Sequence, residues 1–76
     1  MAEYSLDITG LVCPMTFVKA KLKLEQMAVG DLLVIRLRGA EPAENVPRSL
    51  RDHGQSVLAM RPAADGTIEL VVRKER

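Results

Sequence analysis

The sequence predicts a two-layer α/β sandwich, with a mixed four-stranded sheet and both helices on one face of that sheet. Three observations support this fold class. Four segments carry the apolar alternation of strands, and two carry the longer apolar period of helices. The segments follow one another in the order β-α-β-α-β-β. Because two helices cannot cover both faces of a four-stranded sheet, both are placed on the same face.

Size and composition limit the class of protein. The 76 residues suit a single domain, residues 1–76, and 47% of them are hydrophobic, nearly all aliphatic. One cysteine rules out an internal disulfide, and with a single histidine it cannot complete a closed zinc site. No metal or other cofactor is therefore expected. The net charge of +1 provides no general attraction to nucleic acid or acidic membranes.

The chain shows no sign of a membrane segment or an export signal. No apolar run approaches the roughly 20 residues that span a bilayer. The N-terminal ten residues lack a basic region followed by an apolar one. With an unpaired cysteine, these features favour a cytoplasmic location.

The first half of the chain contains two predicted strands around a helix. Glu3–Ile8 alternates polar and apolar residues, as a short strand does. Pro14–Met27 is the first helix, and Gly30 is expected to stop it. Asp31–Arg38 is expected to be a central strand, parallel to the first. The apolar stripe of the helix comprises Phe17, Ala20, Leu24 and Met27, widened by Val18 and Leu22.

The second half contains a short helix and a hairpin. After a loop over residues 39–42, a helix is predicted at Val46–His53, with Asn45 as its cap, Pro47 in its first turn and Gly54 after its end. Antiparallel strands at Gln55–Arg61 and Thr67–Arg73 are joined by a turn that contains Asp65 and Gly66. Residues 74–76 are expected to be a solvated tail.

The candidate reactive group is Cys13, in the stretch GLVCPMTFVKAKLK. It directly precedes Pro14, at the predicted N-cap of the first helix, where N–H groups and the helix dipole favour a thiolate. The functional crevice of a parallel β-α-β unit lies at the carboxyl ends of its strands, where this turn falls. A free cysteine is more commonly a small buried apolar residue, so the residues alone leave both interpretations open.

The other polar candidates have simpler interpretations. Lys19 and Lys23 lie roughly 9 and 15 Å along the helix from Cys13, too far to pair directly with a thiolate. They are expected on a solvated face, or in a docking or RNA-facing patch with Lys21, Arg36 and Arg38.

His53 and Asp7 are interpreted as structural residues. His53 ends the second helix and is expected to face away from Cys13, so a catalytic pairing with Cys13 is not favoured. Asp7 is expected to be a hydrogen-bonding residue beside a turn.

The sequence resembles the TusA/SirA-like sulfur-carrier family over nearly the whole chain. The resemblance rests on Leu6-Asp7, Gly10-Leu11, Cys13-Pro14, Lys19, Lys21 and Gly30-Asp31. It implies that Cys13 carries sulfur as a persulfide. A cysteine desulfurase or rhodanese-like donor would supply the sulfur, and a downstream acceptor protein would receive it. The pathways implied are tRNA thiolation, molybdenum-cofactor maturation and sulfur oxidation.

The chain departs from the family pattern at two places. The family signature is Cys-Pro-x-Pro, but Thr16 occupies the position of the second proline, and the loop RGAEP keeps only Glu41 of an acidic loop. With Cys13 as N-cap, Pro14, Met15 and Thr16 are the residues that would position the thiolate. Threonine restores the N–H that a proline would delete, so it is expected to lower the thiol pKa.

The resulting interpretation is a persulfide carrier rather than a stand-alone multiple-turnover enzyme. Lys19, Arg36 and Arg38 are the candidate docking residues. An alternative is a regulatory or protein-interaction module that keeps the fold without sulfur transfer. Direct nucleic-acid binding is not expected, because the only aromatic residues, Tyr4 and Phe17, lie at apolar positions and would not be free to stack on bases.

Overall fold

The order of the elements is the predicted one. The computed structural model describes residues 2–11 and 15–76. Pro14, the predicted first residue of the first helix, lies outside these ranges. The elements are β1 (Glu3–Asp7), α1 (Met15–Glu25), β2 (Leu32–Arg38), α2 (Ala40–Asp52), β3 (Ser56–Pro62) and β4 (Thr67–Arg73).

The four strands form one mixed sheet in the order β1-β2-β4-β3. β1 pairs in parallel with β2, while β4 pairs antiparallel with both β2 and β3. The predictions of a parallel first unit, a central β2 and an antiparallel final hairpin are confirmed. β3 contains an irregularity between Val57 and Ala59, which shifts its register against β4.

Both helices pack on one face of the sheet, which confirms the predicted two-layer sandwich. β2 and β4 supply the sheet side of the core, and apolar residues of α1 and α2 supply the helix side. Burial of these aliphatic side chains is the main source of stability in a chain of this size. The buried core residues are Ile8, Ala20, Leu24, Met27, Leu33, Ile35, Leu37, Val46, Leu50, Leu70 and Val72.

The prediction for the second helix was wrong at its start. α2 begins at Ala40, so residues 40–42 are its first turn rather than a loop, and Gly39 rather than Asn45 is the N-cap. Gly39 has a φ of 105°, which favours glycine. Pro42 is compatible with a helix start because the N–H groups of the first turn have no intrahelical partner. Pro47 therefore lies inside the helix, where it is buried.

The prediction for the end of α1 was also wrong. The helix ends at Glu25, and the N–H groups of Gln26 and Met27 donate to the carbonyl oxygens of Lys23 and Leu24 at 3.1 and 3.0 Å. These bonds span three residues and tighten the last turn. Gly30, with a φ of 95°, lies in the following turn.

The C-terminal residues are not a solvated tail. Glu75 accepts hydrogen bonds from the Ser56 hydroxyl and from Arg73, and its N–H donates to Gln55. Lys74 reaches across the molecule to α1. The prediction failed because the charged residues at this position find partners on other elements.

The remaining boundaries differ by single residues. Ile8 and Gln55 lie just outside the strands predicted to contain them, and Pro62 extends β3. Asp31 precedes β2, and its buried carboxylate accepts the N–H groups of Ala2 and Ala28 at 3.1 and 3.0 Å. These bonds lower the pKa of Asp31. Neither helix in the described part of the chain is long and apolar enough to cross a bilayer.

Candidate functional site

The candidate site lies at the edge of the sheet where β1, β2 and β3 end. These three strands run in the same direction, so their carboxyl ends share one edge, and the antiparallel β4 begins there. In the sequence, Cys13 falls in the connection between β1 and α1. Val12, Cys13 and Pro14 lie outside the described residues, and Leu11 and Met15 flank them.

Hydrogen bonds fix the chain as it leaves β1. The N–H of Ile8 donates to the Arg36 carbonyl at 2.8 Å, and the N–H of Leu11 donates to the Ile8 carbonyl at 3.1 Å. The Asp7 carboxylate accepts both the N–H and the hydroxyl of Thr9, at 3.0 and 2.7 Å. The prediction that Asp7 forms hydrogen bonds beside a turn is confirmed.

The Asp7 carboxylate is held in its charged form. The backbone N–H of Thr9 makes the largest contribution to lowering the Asp7 pKa, followed by the Thr9 hydroxyl and then by the charges of Arg36 and Arg38. Positive and negative charges therefore both lie near the turn that leads to Cys13. The carboxyl ends of β1 and β2 thus carry charges of both signs rather than of one.

A second network ties β2 to the β3–β4 loop. The Arg36 Nη2 donates to the Asp65 carboxylate at 2.8 Å, and the other oxygen of that carboxylate accepts the N–H and hydroxyl of Thr67. The Thr67 hydroxyl, then the Thr67 N–H, and then Arg36 lower the pKa of Asp65 to about 2. The carboxyl end of β2 is thereby joined to the hairpin loop at the same edge.

Two residues predicted to position the thiolate are described, and they differ in exposure. Met15 is 45% exposed, whereas Thr16 is fully buried. A fully buried threonine side chain in the first described turn of α1 has a fixed environment. Its predicted contact with Cys13 lies outside the described residues and stays a prediction, as does the role of Pro14.

Shortly after Cys13 in the sequence, α1 carries an exposed apolar stripe. It comprises Met15, Val18 and Leu22, which are 45, 38 and 50% exposed. Their spacing places them on one side of α1, whereas Ala20 and Leu24 are buried against the sheet. The prediction that Val18 and Leu22 widen the buried stripe was wrong. We call these three residues the α1 stripe.

The predicted basic residues do not form one patch. Lys19 is exposed on α1, in the helix layer. Arg36 and Arg38 alternate with the buried Ile35 and Leu37 of β2, so their side chains leave the sheet on the side opposite the helices. The RNA-facing patch considered from the sequence would need lysines and arginines on a shared surface. Docking by Lys19, Arg36 and Arg38 stays a prediction.

Lys23 and His53 both contact aromatic rings. The Lys23 Nζ lies 5.0 Å from the centroid of the Tyr4 ring, a cation–π contact. His53 is the C-cap of α2, and its ring centroid lies 5.0 Å from that of Phe17. Its Nδ1 lies 2.8 Å from the carbonyl oxygen of Ser49, so this nitrogen carries the hydrogen.

His53 therefore has a packing role beside α1. Phe17 lies four positions after Cys13, so the end of α2 packs near the start of the described part of α1. The predicted separation between His53 and Cys13 falls outside the described residues. Within those residues, no group of three His, Cys, Asp or Glu side chains is arranged to hold a metal ion.

The sequence matches the model of a known family, "Sulfurtransferase TusA", over residues 4–74. This chain belongs to the TusA sulfurtransferase family. The resemblance inferred from the Cys-Pro motif and the order of elements is thus confirmed.

Relatives in this family cover almost the whole chain. A protein of Archaeoglobus fulgidus named "Putative sulfur carrier protein" is 36% identical over 74 residues, which are 97% of this chain and 84% of that protein. A protein of Neisseria meningitidis with the same kind of name is 34% identical over 73 residues, which cover 96% of this chain and 97% of the relative.

A solved structure has the same fold as this chain. The crystal structure of a SirA-like protein from Desulfitobacterium hafniense superposes with a TM-score of 0.84. It covers 96% of this chain and 99% of the other, at 19% sequence identity. This similarity concerns the architecture, namely the β-α-β-α-β-β sandwich described above.

Proposed function

We propose that this protein is a sulfur carrier that accepts and donates a persulfide sulfur at Cys13. The observation that carries the proposal is the position of the only cysteine, in the β1–α1 connection of a chain that matches the TusA family over residues 4–74. That connection is at the carboxyl edge of the parallel strands, where α/β folds offer a crevice to ligands and partners.

The transfer requires no external oxidant or reductant. The Cys13 thiolate attacks the terminal sulfur of a donor persulfide, forming a new S–S bond while the S–S bond of the donor breaks. The donor sulfur leaves as a thiolate, and Cys13 becomes a persulfide. In the second transfer, an acceptor thiolate attacks the terminal sulfur and Cys13 leaves as a thiolate. Each transfer moves one sulfur atom, and the protein returns to its starting state.

The described residues on either side of the connection are joined to their neighbours by hydrogen bonds and an ion pair. The Asp7–Thr9 bonds hold the turn after β1, and the Arg36–Asp65 ion pair holds the neighbouring hairpin loop. This arrangement fits a carrier whose cysteine is loaded and unloaded by partner proteins.

The α1 stripe is the surface that we assign to partner docking. Met15, Val18 and Leu22 expose apolar area within the nine residues that follow Cys13, and Lys19 lies among them. Exposed apolar residues grouped in this way mark interaction surfaces in soluble proteins. The partners would be a cysteine desulfurase or rhodanese-like donor and a sulfur-acceptor protein, in a cytoplasmic relay for tRNA thiolation, cofactor maturation or sulfur oxidation.

Mass spectrometry tests the proposal directly. Wild-type protein and the Cys13→Ser variant are incubated with a cysteine desulfurase and cysteine, then analysed intact without reductant. We expect wild type to gain the mass of one sulfur atom and the variant to gain nothing. Thiol treatment should remove the adduct. Absence of an adduct with both desulfurase and rhodanese-type donors would contradict the proposal.

A second candidate is a regulatory or protein-interaction module that has kept the fold without sulfur transfer. Thr16, at the position of the second proline of the family motif, favours this alternative. Under this alternative, Cys13→Ser leaves the cellular phenotype intact, whereas a sulfur carrier loses its function. A charge substitution in the α1 stripe would affect both kinds of protein.

A further inference from the structure

The face of the sheet opposite the helices carries an ordered pattern of charges. We call this surface the open face. One row of paired positions crosses all four strands and contains Asp7, Arg36, Glu69 and Arg61, in the order β1-β2-β4-β3. The charges along this row alternate in sign. The adjacent row contains Ser5, Val34, Val71 and Ala59 and is mainly apolar.

These side chains are accessible. Ser5, Asp7, Arg36 and Arg61 are exposed, and Val34, Val71, Ala59 and Glu69 are partly buried. The Arg36 side chain remains 46% exposed although it pairs with Asp65. Among the described residues, Glu69 makes no ion pair, despite its register positions opposite Arg36 and Arg61. The open face therefore presents an apolar row beside a row of accessible charges, of which Arg36 also pairs with Asp65.

We propose that the open face binds a second copy of this chain, as a two-fold dimer of stacked sheets. A two-fold axis that runs parallel to the strands, between β2 and β4, reverses the order of the strands in the partner. It places β2 over β4 of the second copy and β1 over its β3. Arg36 then faces Glu69, Asp7 faces Arg61, and Val34 faces Val71 across the interface. Every charge in the row meets its opposite.

Another dimer axis and another kind of partner fit this charge pattern less well. A two-fold axis directed along the charged row and centred on it would set each charge against its own copy, which is repulsive. A nucleic acid would need a surface of one sign, but the charged row contains equal numbers of acidic and basic residues. The row of charges is complementary to its own reversed copy, and this favours a second copy of the same chain as the partner. Stacked sheets lie about 10 Å apart with aligned strands, which this axis permits.

The size of the face limits the strength of the dimer. Four strands about 4.8 Å apart, with seven residues rising about 3.3 Å each, give a face of roughly 19 by 23 Å. The area buried per copy is therefore below the roughly 800 Å² of a standard-size interface. We expect a weak dimer that forms at high concentration, with the helix layer and the α1 stripe left accessible on both outer faces.

Sedimentation equilibrium tests this dimer independently of sulfur transfer, because Cys13→Ser is the background for every sample. Loading concentrations run from about 10 μM to about 1 mM at low ionic strength. We expect concentration-dependent dimerisation that Glu69→Arg weakens at least about tenfold, since Arg36 would then face arginine. Glu25→Arg makes the same charge change on α1 and should alter the dissociation constant less than about twofold. No association, or equal effects of the two variants, would overturn the proposal.

Cross-linking tests the axis without relying on the charge variant. One sample carries Ser5→Cys, on β1, and another carries Ala59→Cys, on β3. A short bismaleimide should link the two chains when they are mixed, because the proposed axis lays β1 over β3 of the partner. Neither sample alone should cross-link efficiently, since copies of Ser5 lie on opposite edges of the dimer. Cross-linking of Ser5→Cys with itself, or no cross-link in the mixture, would overturn this geometry.

Discussion

Lys74 caps the C-terminal end of α1 through its side chain, with its Nζ 2.6 Å from the carbonyl oxygen of Leu24. The same Nζ donates to the carbonyl of Met27 at 2.8 Å. The Lys74 backbone is also fixed, since its carbonyl accepts the N–H of Gly30 and its N–H donates to Asp31. One residue beyond β4 thus neutralises the negative end of a helix fifty positions earlier in the chain.

Removal of the Lys74 charge should destabilise the fold. Lys74→Met keeps most of the side-chain length but deletes two charge-assisted hydrogen bonds, one to the last turn of α1 at Leu24 and one to Met27 just after it. We expect the free energy of unfolding to fall by about 1–2 kcal/mol. Urea unfolding followed by circular dichroism measures the change. Lys21→Met, on the exposed surface of α1, is the matched control, and an equal loss in both variants would contradict a specific cap.

The Asp65 network predicts a stability change in acid. The pKa of Asp65 is lowered to about 2 from the ordinary value of 3.8 that applies to the unfolded chain. Because the pKa is lower in the folded protein, the stabilisation is complete at a pH above the pKa of the unfolded chain. It is lost as the pH falls through the pKa of the folded protein. The free energy of unfolding should therefore decrease between about pH 4 and pH 2. In Asp65→Asn this part of the decrease should be absent.

The control for this measurement is Asp52→Asn, which changes a carboxylate near the end of α2. Urea midpoints at intervals between pH 2 and pH 5 would be compared for wild type and both variants. Between about pH 4 and pH 2, the urea midpoint of Asp52→Asn should fall as steeply with decreasing pH as that of wild type. If the midpoint of Asp65→Asn falls as steeply as well, the loop network does not contribute to acid stability.

The α1 stripe predicts a docking defect without unfolding. Leu22 is 50% exposed, so Leu22→Glu should leave the thermal midpoint within about 2 °C of wild type. The rate of sulfur acceptance from the donor should fall about tenfold, because a charge enters an apolar contact. The initial rate of persulfide formation, measured at several donor concentrations, provides the test.

Val29→Glu is the matched control for Leu22→Glu. Val29 is 64% exposed and lies in the turn after α1, beyond the helical stripe. It should slow sulfur acceptance by less than about twofold. If both variants react at the wild-type rate, partner docking does not use the stripe.

The replacement of the second family proline by Thr16 predicts a difference in thiol acidity. If Thr16 contributes an N–H to the Cys13 thiolate, Thr16→Pro removes a donor and should raise the measured pKa of the Cys13 thiol. Thiolate absorbance titrated against pH in both proteins measures it. An equal or lower pKa in the proline variant would reject the idea.

Thr16→Val separates the contributions of the N–H and the hydroxyl. Valine has nearly the shape of threonine and keeps the backbone N–H, so its titration should follow wild type if the N–H is responsible. Because Thr16 is fully buried, the folding of each variant must be checked by circular dichroism first. A pKa shift of equal size in both variants would assign the effect to the hydroxyl.

The order of the elements and the fold class were determined by local sequence pattern. Alternation in Leu32–Arg38 and Thr67–Arg73 and the period of Ala20, Leu24 and Met27 were enough, because each pattern has one face that must be buried. The Cys-Pro motif likewise led from the sequence to the family. Element order, fold class and motif all depend on residues that are close together in the sequence.

Tertiary structure decided the features that depend on distant partners. The N-cap of α2 is a glycine and its first turn contains a proline, a combination that predicts a loop from the local sequence, yet Pro42 and Pro47 are buried in the helix layer. Lys74 caps a helix fifty positions away, and Arg36 pairs with a loop residue of the final hairpin. Val18 and Leu22 fit an apolar helix face by sequence, but α1 directs only one side to the sheet. Which side of α1 is buried depends on the contacts between the helix layer and the sheet, and these contacts form only in the folded protein.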